Sequence, residues 1–452
     1  MHKSTAFGFE TPQPGRGPAS GLWPSYKENC CVIPAPPPTP APAPLSVLYV
    51  LGAFPVLSET FISGEIRAMR ALGHRAVPLA LAPYGGACQP EDTCFRGETL
   101  SLAGIPAGRA MAVAAGNPAR LANGLRFAVR QQGLRPRSLL LAGARVALAA
   151  RRNGCTHLHA HFALAPAATA IVAARLAGLT VSFTGHGFDV YGTPVDLALK
   201  LAAADLAIAV CDDMRDDFLA LAPFSRVRLV PCGTDPERFR PRPGMARNGR
   251  LLAIGRLAEQ KGYDVLLAAL SMLPSGERPV IDVVGEGPLE GSLQRSASEM
   301  GVAGSVNFLG SRPSWWVAAH GPAYLGFVAP YCVTANGDRD TGPVSVKEAM
   351  AMGLPVVASA LMGMKESVTA ECGRHVPPRD TAALAAALRW LAAMPEEQRL
   401  LMGEAGRRRI ESSLTLDAQA GGLAAAIRSL RPWRQAAGFR GHAPAVRMAA
   451  PE

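Results

Sequence analysis

The sequence predicts an α/β chain of two doubly wound domains facing a cleft, on three observations. Its 452 residues exceed what one hydrophobic core usually serves. Short apolar runs alternate with helical patterns, the grammar of parallel sheets covered by helices. A Pro-, Arg- and Gly-rich break at 238–248 then interrupts the alternation, and a fresh series begins beyond it.

Residues 1–45 hold the proline-rich run Pro34 to Pro44, a composition that favours extended chain over packing, and are expected to form a disordered leader. The first domain, 46–240, opens with an apolar run at 46–51, a helix with Ile62, Ile66 and Met69 on one face, and a second run at 76–81. Runs at 157–161, 180–184, 206–210 and 227–230 continue its sheet. The second domain, 241–412, takes strands from 250–254, 280–284, 306–309 and 324–328. A helix over 413–431 is expected to pack back on the first domain, ahead of a loose tail at 432–452. Ligands of open α/β sheets bind beyond the carboxyl ends of the strands, so the site belongs between the domains.

Composition narrows the function classes. With 49% hydrophobic and 18% charged residues, the chain buries a substantial core. Nine cysteines form no C-x-x-C pair, so neither a zinc site nor a disulfide framework is indicated and a reducing cytoplasm is the plain reading. No run approaches the ~20 apolar residues that span a bilayer, and the N-terminus lacks a signal core. The formal charge of +11 leaves open a contact with the inner face of the plasma membrane. Nucleic acid is not an expected partner, because aromatics are only 6% of the chain and interleave with no basic stripe.

Two segments carry the chemistry. In Gly255-Arg256-Leu257-Ala258-Glu259-Gln260-Lys261-Gly262, a strand runs into a loop with two cations bracketed by glycines. Arg256 can fork two hydrogen bonds onto phosphate oxygens and Lys261 can add a point charge, which suits a diphosphate. The alternative is a pair of solvated surface cations. In the segment from Asp340 to Gly353, Gly342-Pro343 sits at a helix start, whose free N–H groups favour an anion, Gly353 stops the helix, and Glu348 lies in it where it can accept both ribose hydroxyls. The alternative there is an acid pairing with the helix dipole and a surface glutamate.

With these segments stand Leu57-Ser58-Glu59-Thr60-Phe61-Ile62, His159-Ala160-His161-Phe162, Ser182-Phe183-Thr184-Gly185-His186-Gly187-Phe188-Asp189 and Gly285-Glu286-Gly287-Pro288. Together, from about Ser46 to Leu430, they resemble the family 4 glycosyltransferases of the GT-B fold, nearest to bacterial members that build exopolysaccharide or lipopolysaccharide. The resemblance implies two Rossmann-like domains and a retaining, metal-independent hexosyl transfer from a nucleotide diphosphate sugar to a glycan or lipid-linked acceptor. It implies Arg256, Lys261, Gly342, Pro343 and Val344 on the diphosphate and Glu348 on the ribose. Phe308, Leu309 and Gly310 would abut the base, and Asp340 would touch the donor sugar. His186 would lie beside the reacting carbon, with Ser58, Glu59 and His161 on the acceptor side.

Two departures stand out. Asp340 replaces the family's usual glutamate, one methylene shorter, and 311–322 carries Trp315, Trp316 and His320 in place of a polar helix. The tryptophans are expected in the core or lining the cleft. Asp338-Arg339-Asp340 spells a metal-binding triplet of another transferase fold and is read as coincidence, since Arg256 and Lys261 can neutralise a diphosphate without an ion. His157, His159 and His161 alternate along a strand; His161, the last residue of a strand at the cleft, is expected near the site and the first two are expected to satisfy local polar groups, with no metal and no cofactor. Two other classes compete: a nucleotide-sugar epimerase of the same architecture, which would convert its donor without an acceptor, and a non-catalytic nucleotide-sugar-binding partner, which would bind without turnover.

Overall fold

The computed structural model describes residues 43–430. Most of the expected leader and the whole 432–452 tail lie outside the described residues.

Strands β1 (Ser46–Leu51), β2 (Arg75–Ala80), β3 (Leu100–Ser101), β4 (His157–His161), β5 (Thr180–Thr184), β6 (Leu206–Ala209) and β7 (Val227–Leu229) form one sheet in the order β3-β2-β1-β4-β5-β6-β7. Strands β8 (Leu251–Ile254), β9 (Ile281–Val284), β10 (Val306–Phe308), β11 (Gly326–Ala329), β12 (Val356–Ser359) and β13 (Gly373–Val376) form a second, ordered β10-β9-β8-β11-β12-β13. Every pairing is parallel, as helix-covered crossovers require. In both sheets the order reverses beside the first strand, which opens a crevice at the carboxyl ends.

β1 reads as a continuous apolar run because both its faces are covered: Val47, Leu48, Tyr49 and Val50 are fully buried. β4 is equally buried yet carries three histidines. Two of them are satisfied by hydroxyls of β5, as expected. His157 meets Thr180 Oγ1 at 2.8 Å and Ser182 Oγ at 2.7 Å, while His159 meets Ser182 Oγ at 2.7 Å and Thr184 Oγ1 at 3.2 Å.

Three strands lay outside the sequence expectations. β3 has two residues, too few for any period, and β12 and β13 follow one another along the far edge of the second sheet. The expected 413–431 helix begins later: the Glu396–Ser413 helix runs through its start, and Thr415 caps a new Leu416–Arg428 helix by accepting from Ala418 N at 3.0 Å. Leu423, Ala424 and Ile427 of that helix share a hydrophobic cluster with Ile62, Ile66 and Met69 of the Thr60–Ala71 helix.

The chain therefore passes between the sheets twice. The two crossings lie side by side, Thr234 N donating to the Leu414 carbonyl at 2.9 Å and Leu416 N to the Thr234 carbonyl at 3.0 Å. A β-carbon on Gly233 would sit 2.2 Å from the Thr415 carbonyl oxygen, so only glycine fits. Among the described residues, no helix is long and apolar enough to cross a membrane.

Candidate active site

A cleft of about 730 Å³ opens between the two sheets. Ser58, Glu59 and His186 line it from the first sheet's side; Arg256, Lys261, Asp340, Gly342, Pro343, Val344 and Glu348 line it from the second. The fold thus gathers ten of the expected site residues from segments nearly 300 positions apart in sequence.

Arg256 follows β8 directly, is exposed to the cleft, and its side chain has no hydrogen-bond or ion-pair partner among the described residues. It is an uncommitted guanidinium. Lys261 is committed: its Nζ lies 2.6 Å from Asp340 Oδ2 and 4.0 Å from the centroid of the Tyr331 ring. Burial opposes the charged amine, but the Asp340 carboxylate and Tyr331 outweigh it and hold its pKa above the usual lysine value. Sequence reasoning gave these two side chains separate partners. The ion pair, spanning 79 positions, was invisible to it.

The Val344–Ala351 helix is held at its start by Pro343 in extended geometry, and Gly353 beyond its end adopts φ +76. Glu348, one turn into this helix, makes no side-chain hydrogen bond among the described residues. Burial raises its pKa to about 7 against the opposing field of Arg238. Glu59, at the start of the Thr60–Ala71 helix, is likewise pushed by burial to about 7, with His161 pulling the other way. Two carboxyl groups that share protonated and ionised forms near neutrality thus face one cleft.

His186 sits in the turn after β5. Phe61 and Phe162 flank its ring at centroid distances of 4.5 and 4.7 Å, and its backbone N–H donates to Asp189 Oδ1 at 2.9 Å. Asp189 also accepts from Ala163 N at 2.5 Å, although burial still raises its pKa to about 6. The next residue, Gly187, lets the second domain come close: a β-carbon there would lie 2.1 Å from the Arg339 carbonyl oxygen.

Four expected residues do not line the cleft. His161 is fully buried behind His186, its Nδ1 3.2 Å from His186 Nε2. Phe308 packs into the second domain's core, Leu309 against the larger core, and Gly310 bridges Gly285; Ser311 and Arg312 face the cleft instead. Trp316 is half-buried and stacks on His320 at 4.5 Å, but Trp315 is 55% exposed and does not line the cleft, which corrects the expectation for it. On the short Ser314–His320 helix, only one of two adjacent side chains can face inward.

Further contacts escaped the sequence altogether. Ser314 N donates to Gln89 Oε1 at 3.1 Å and Ser314 Oγ to Glu91 Oε1 at 2.8 Å, while Arg238 pairs with Glu91 at 2.5 Å, so a loop of the first domain is tied across the cleft rim. The Lys347 ammonium, buried under the helix, donates to the Cys232 carbonyl of the first crossing. Ligand atoms of Glu65, His159 and His161 lie within 4.8 Å of one another, close enough for a metal. Each is already engaged by hydrogen bonds to Gln419, Ser182, Thr184 and His186.

Comparison with known proteins agrees with the two-sheet fold. The profile described as Glycosyltransferase Family 4 matches residues 58–238, and that described as Glycosyl transferases group 1 matches 248–394. An amylovoran biosynthesis glycosyltransferase of Erwinia amylovora is 31% identical over 170 residues, 37% of this chain and 42% of that protein, so the match spans less than half of the relative's length. A putative colanic acid biosynthesis glycosyltransferase of Escherichia coli is 26% identical over 395 residues, 81% of this chain and 95% of that protein. An Anabaena protein solved with UDP-glucose superposes with a TM-score of 0.62 at 17% identity, over 85% of this chain and all of that one. With both profiles in order along two parallel-sheet domains, the chain belongs to the family 4 glycosyltransferases of the GT-B fold, alongside relatives in bacterial exopolysaccharide synthesis.

Proposed function

We propose that the protein moves a hexose from a UDP-sugar to a glycan or lipid-linked acceptor in cell-surface polysaccharide synthesis, with retention of configuration and without a metal ion. The observation that carries this reading is one cleft holding the unpaired Arg256, the Lys261–Asp340 pair and the free carboxyl of Glu348. Arg256 and Lys261 hold the diphosphate and stabilise the charge that grows on it as the sugar leaves. The N–H groups at the start of the Val344–Ala351 helix add to that field. Glu348 takes the ribose hydroxyls, Asp340 a sugar hydroxyl, and His186 borders the reacting carbon. The leaving diphosphate helps deprotonate the acceptor hydroxyl on the same face, so orientation and charge stabilisation carry the rate. A UDP-glucose-bound neighbour of the same fold supports a UDP donor.

The test is a panel of UDP-, GDP- and ADP-sugars incubated with the protein, with chelator or with magnesium. Slow hydrolysis of one UDP-sugar, equal in both conditions, is the expected outcome. Turnover only with magnesium, or only of a GDP- or ADP-sugar, overturns the corresponding part of the reading. Conversion of the donor sugar without release of nucleotide would point to an epimerase.

The acceptor side includes a surface suited to anionic lipid. Residues 99–188 contain ten arginines and no acidic residue. None of the ten forms an ion pair among the described residues. On the Pro118–Ala128 helix and just beyond it, exposed Leu125 and Val129 alternate with exposed Arg126 and Arg130. Gln132 N bonds Asp196 Oδ2 at 2.5 Å, which joins this surface to the segment bearing exposed Val195 and, at the cleft mouth, Phe188. Basic residues at an anionic bilayer each contribute ~1 kcal/mol. Reversing Arg126 and Arg130 to glutamate is therefore expected to weaken binding to phosphatidylglycerol vesicles by more than about tenfold. Equal binding of both proteins would remove this surface from membrane contact.

A further inference from the structure

Behind His186 runs a buried chain of hydrogen bonds whose direction is fixed at its far end. It begins at the backbone N–H of Gly233, in the first crossing between the domains, which donates to Gln419 Oε1 at 2.7 Å. A backbone N–H can only donate, so the Gln419 amide is oriented and its Nε2 faces Glu65 Oε2, at 2.7 Å. Glu65 Oε1 lies 3.2 Å from His161 Nε2, and His161 Nδ1 lies 3.2 Å from His186 Nε2. Glu65, His161 and Gln419 are all at most 5% exposed, so water does not compete for these bonds.

We propose that Glu65 and His161 are positioning residues that set the tautomer of His186, leaving its Nδ1 as a hydrogen-bond acceptor at the cleft. An ionised carboxylate only accepts, so Glu65 takes N–H from Gln419 on one oxygen and from His161 Nε2 on the other. A neutral His161 with its proton on Nε2 has a lone pair on Nδ1, which accepts the Nε2–H of His186. His186 Nδ1 then carries a lone pair, and no protein partner for it exists among the described residues. Burial keeps His159 and His186 neutral. The charged and titratable groups facing the chain include Glu65 from the Thr60–Ala71 helix, His159 from β4, Tyr49 from β1, Cys232 from the first crossing, and Asp189 and Glu59 nearer the cleft. At the donor sugar, Nδ1 so held accepts from a hydroxyl and repels a carbonyl or phosphate oxygen. This consequence rests on the reading of His186 as a donor-site residue; the tautomer itself does not.

The chain makes Glu65→Gln informative. Gln419 still presents its N–H, which holds the new amide's oxygen in place and turns its NH2 toward His161. His161 Nε2 must then accept, its proton moves to Nδ1, and His186 is left with its proton on Nδ1. Both tautomers invert without loss of a hydrogen bond. ¹⁵N-histidine-labelled full-length protein, with the His186 signals identified by their absence in His186→Asn, reads this directly by ¹⁵N–¹H correlation of ring nitrogens. Wild type is expected to show His186 protonated on Nε2 at neutral pH, and Glu65→Gln to show it protonated on Nδ1. Turnover in Glu65→Gln is expected to fall by at least about tenfold with UDP affinity within about twofold, as a wrong tautomer harms the reacting state more than the bound one. A wild-type His186 protonated on Nδ1 overturns the proposal even if the variant does not fold, and so does an unchanged tautomer in a folded Glu65→Gln. If no donor is turned over, the transferase reading fails while the tautomer assignment is still decided by the spectrum.

Discussion

Replacing Lys261 with alanine is expected to weaken UDP binding by about 10- to 150-fold while uridine binding changes by less than about twofold. A hydrogen bond to a charged group contributes roughly 1.5–3 kcal/mol, which sets that range. Arg256→Ala belongs in the same range, but the two differ in what they leave behind. Arg256 has no protein partner, so its loss removes phosphate contacts and nothing else. Lys261 is bonded to Asp340 at 2.6 Å, so its loss also leaves a carboxylate unneutralised beside the diphosphate. Adding Asp340→Asn to Lys261→Ala should therefore recover more of the lost affinity than adding it to Arg256→Ala, where Lys261 still neutralises the carboxylate. Calorimetric titration of UDP and uridine into the four proteins checks this. Equal weakening of UDP and uridine would place neither cation on the phosphates.

The two acids of the donor helix and its approach should separate in kinetics. Asp340→Asn is expected to lower kcat by about 10- to 100-fold with UDP affinity unchanged or slightly higher, since UDP has no sugar for Asp340 to touch and Lys261 is released toward phosphate. Glu348→Gln should chiefly raise KM, because the ribose is held alike in ground and transition states. Glu348 adds a pH signature. Its proton and the ribose hydroxyls compete for the carboxylate, and burial has raised its pKa to about 7. Donor affinity should therefore rise as pH goes from about 6 to about 8, and that part of the rise should vanish in Glu348→Gln. Unchanged turnover in Asp340→Asn would take that residue out of the site, and an identical pH profile in Glu348→Gln would detach the carboxyl from the ribose.

Much of this was legible because it is local. Apolar runs, the Gly-bracketed cations at 255–262 and the Gly342-Pro343 helix start each fall within a dozen residues, where period and spacing carry the information. What sequence missed is long-range. Glu65 stands in an amphipathic helix as an ordinary acid would, and only the fold buries it against His161, 96 positions away. The Lys261–Asp340 pair and the Gln89–Ser314 bond across the rim are of the same kind. Trp315 failed for a local reason, since a seven-residue helix is too short for its apolar face to be read from period alone. His161 showed the limit of strand-end logic: it ends β4, but Phe162 turns the chain with φ +71 and the cleft is lined by the next strand's histidine instead.

The paired crossings at Gly233–Thr234 and Leu414–Leu416 bear on how such a cleft can move. One strand of chain between two bodies is a swivel, free to bend and to twist. Two strands bonded side by side act as a strap hinge, in which bending about the line joining them leaves the Thr234 hydrogen bonds intact while twisting, or bending within the plane of the pair, shears them. Relative motion of the sheets is thereby reduced to something close to one angle. A single angle returns Arg256 and Glu348 to the same place opposite His186 after every cycle, so registration across the cleft is carried by the hinge and needs no extra contacts at the donor site.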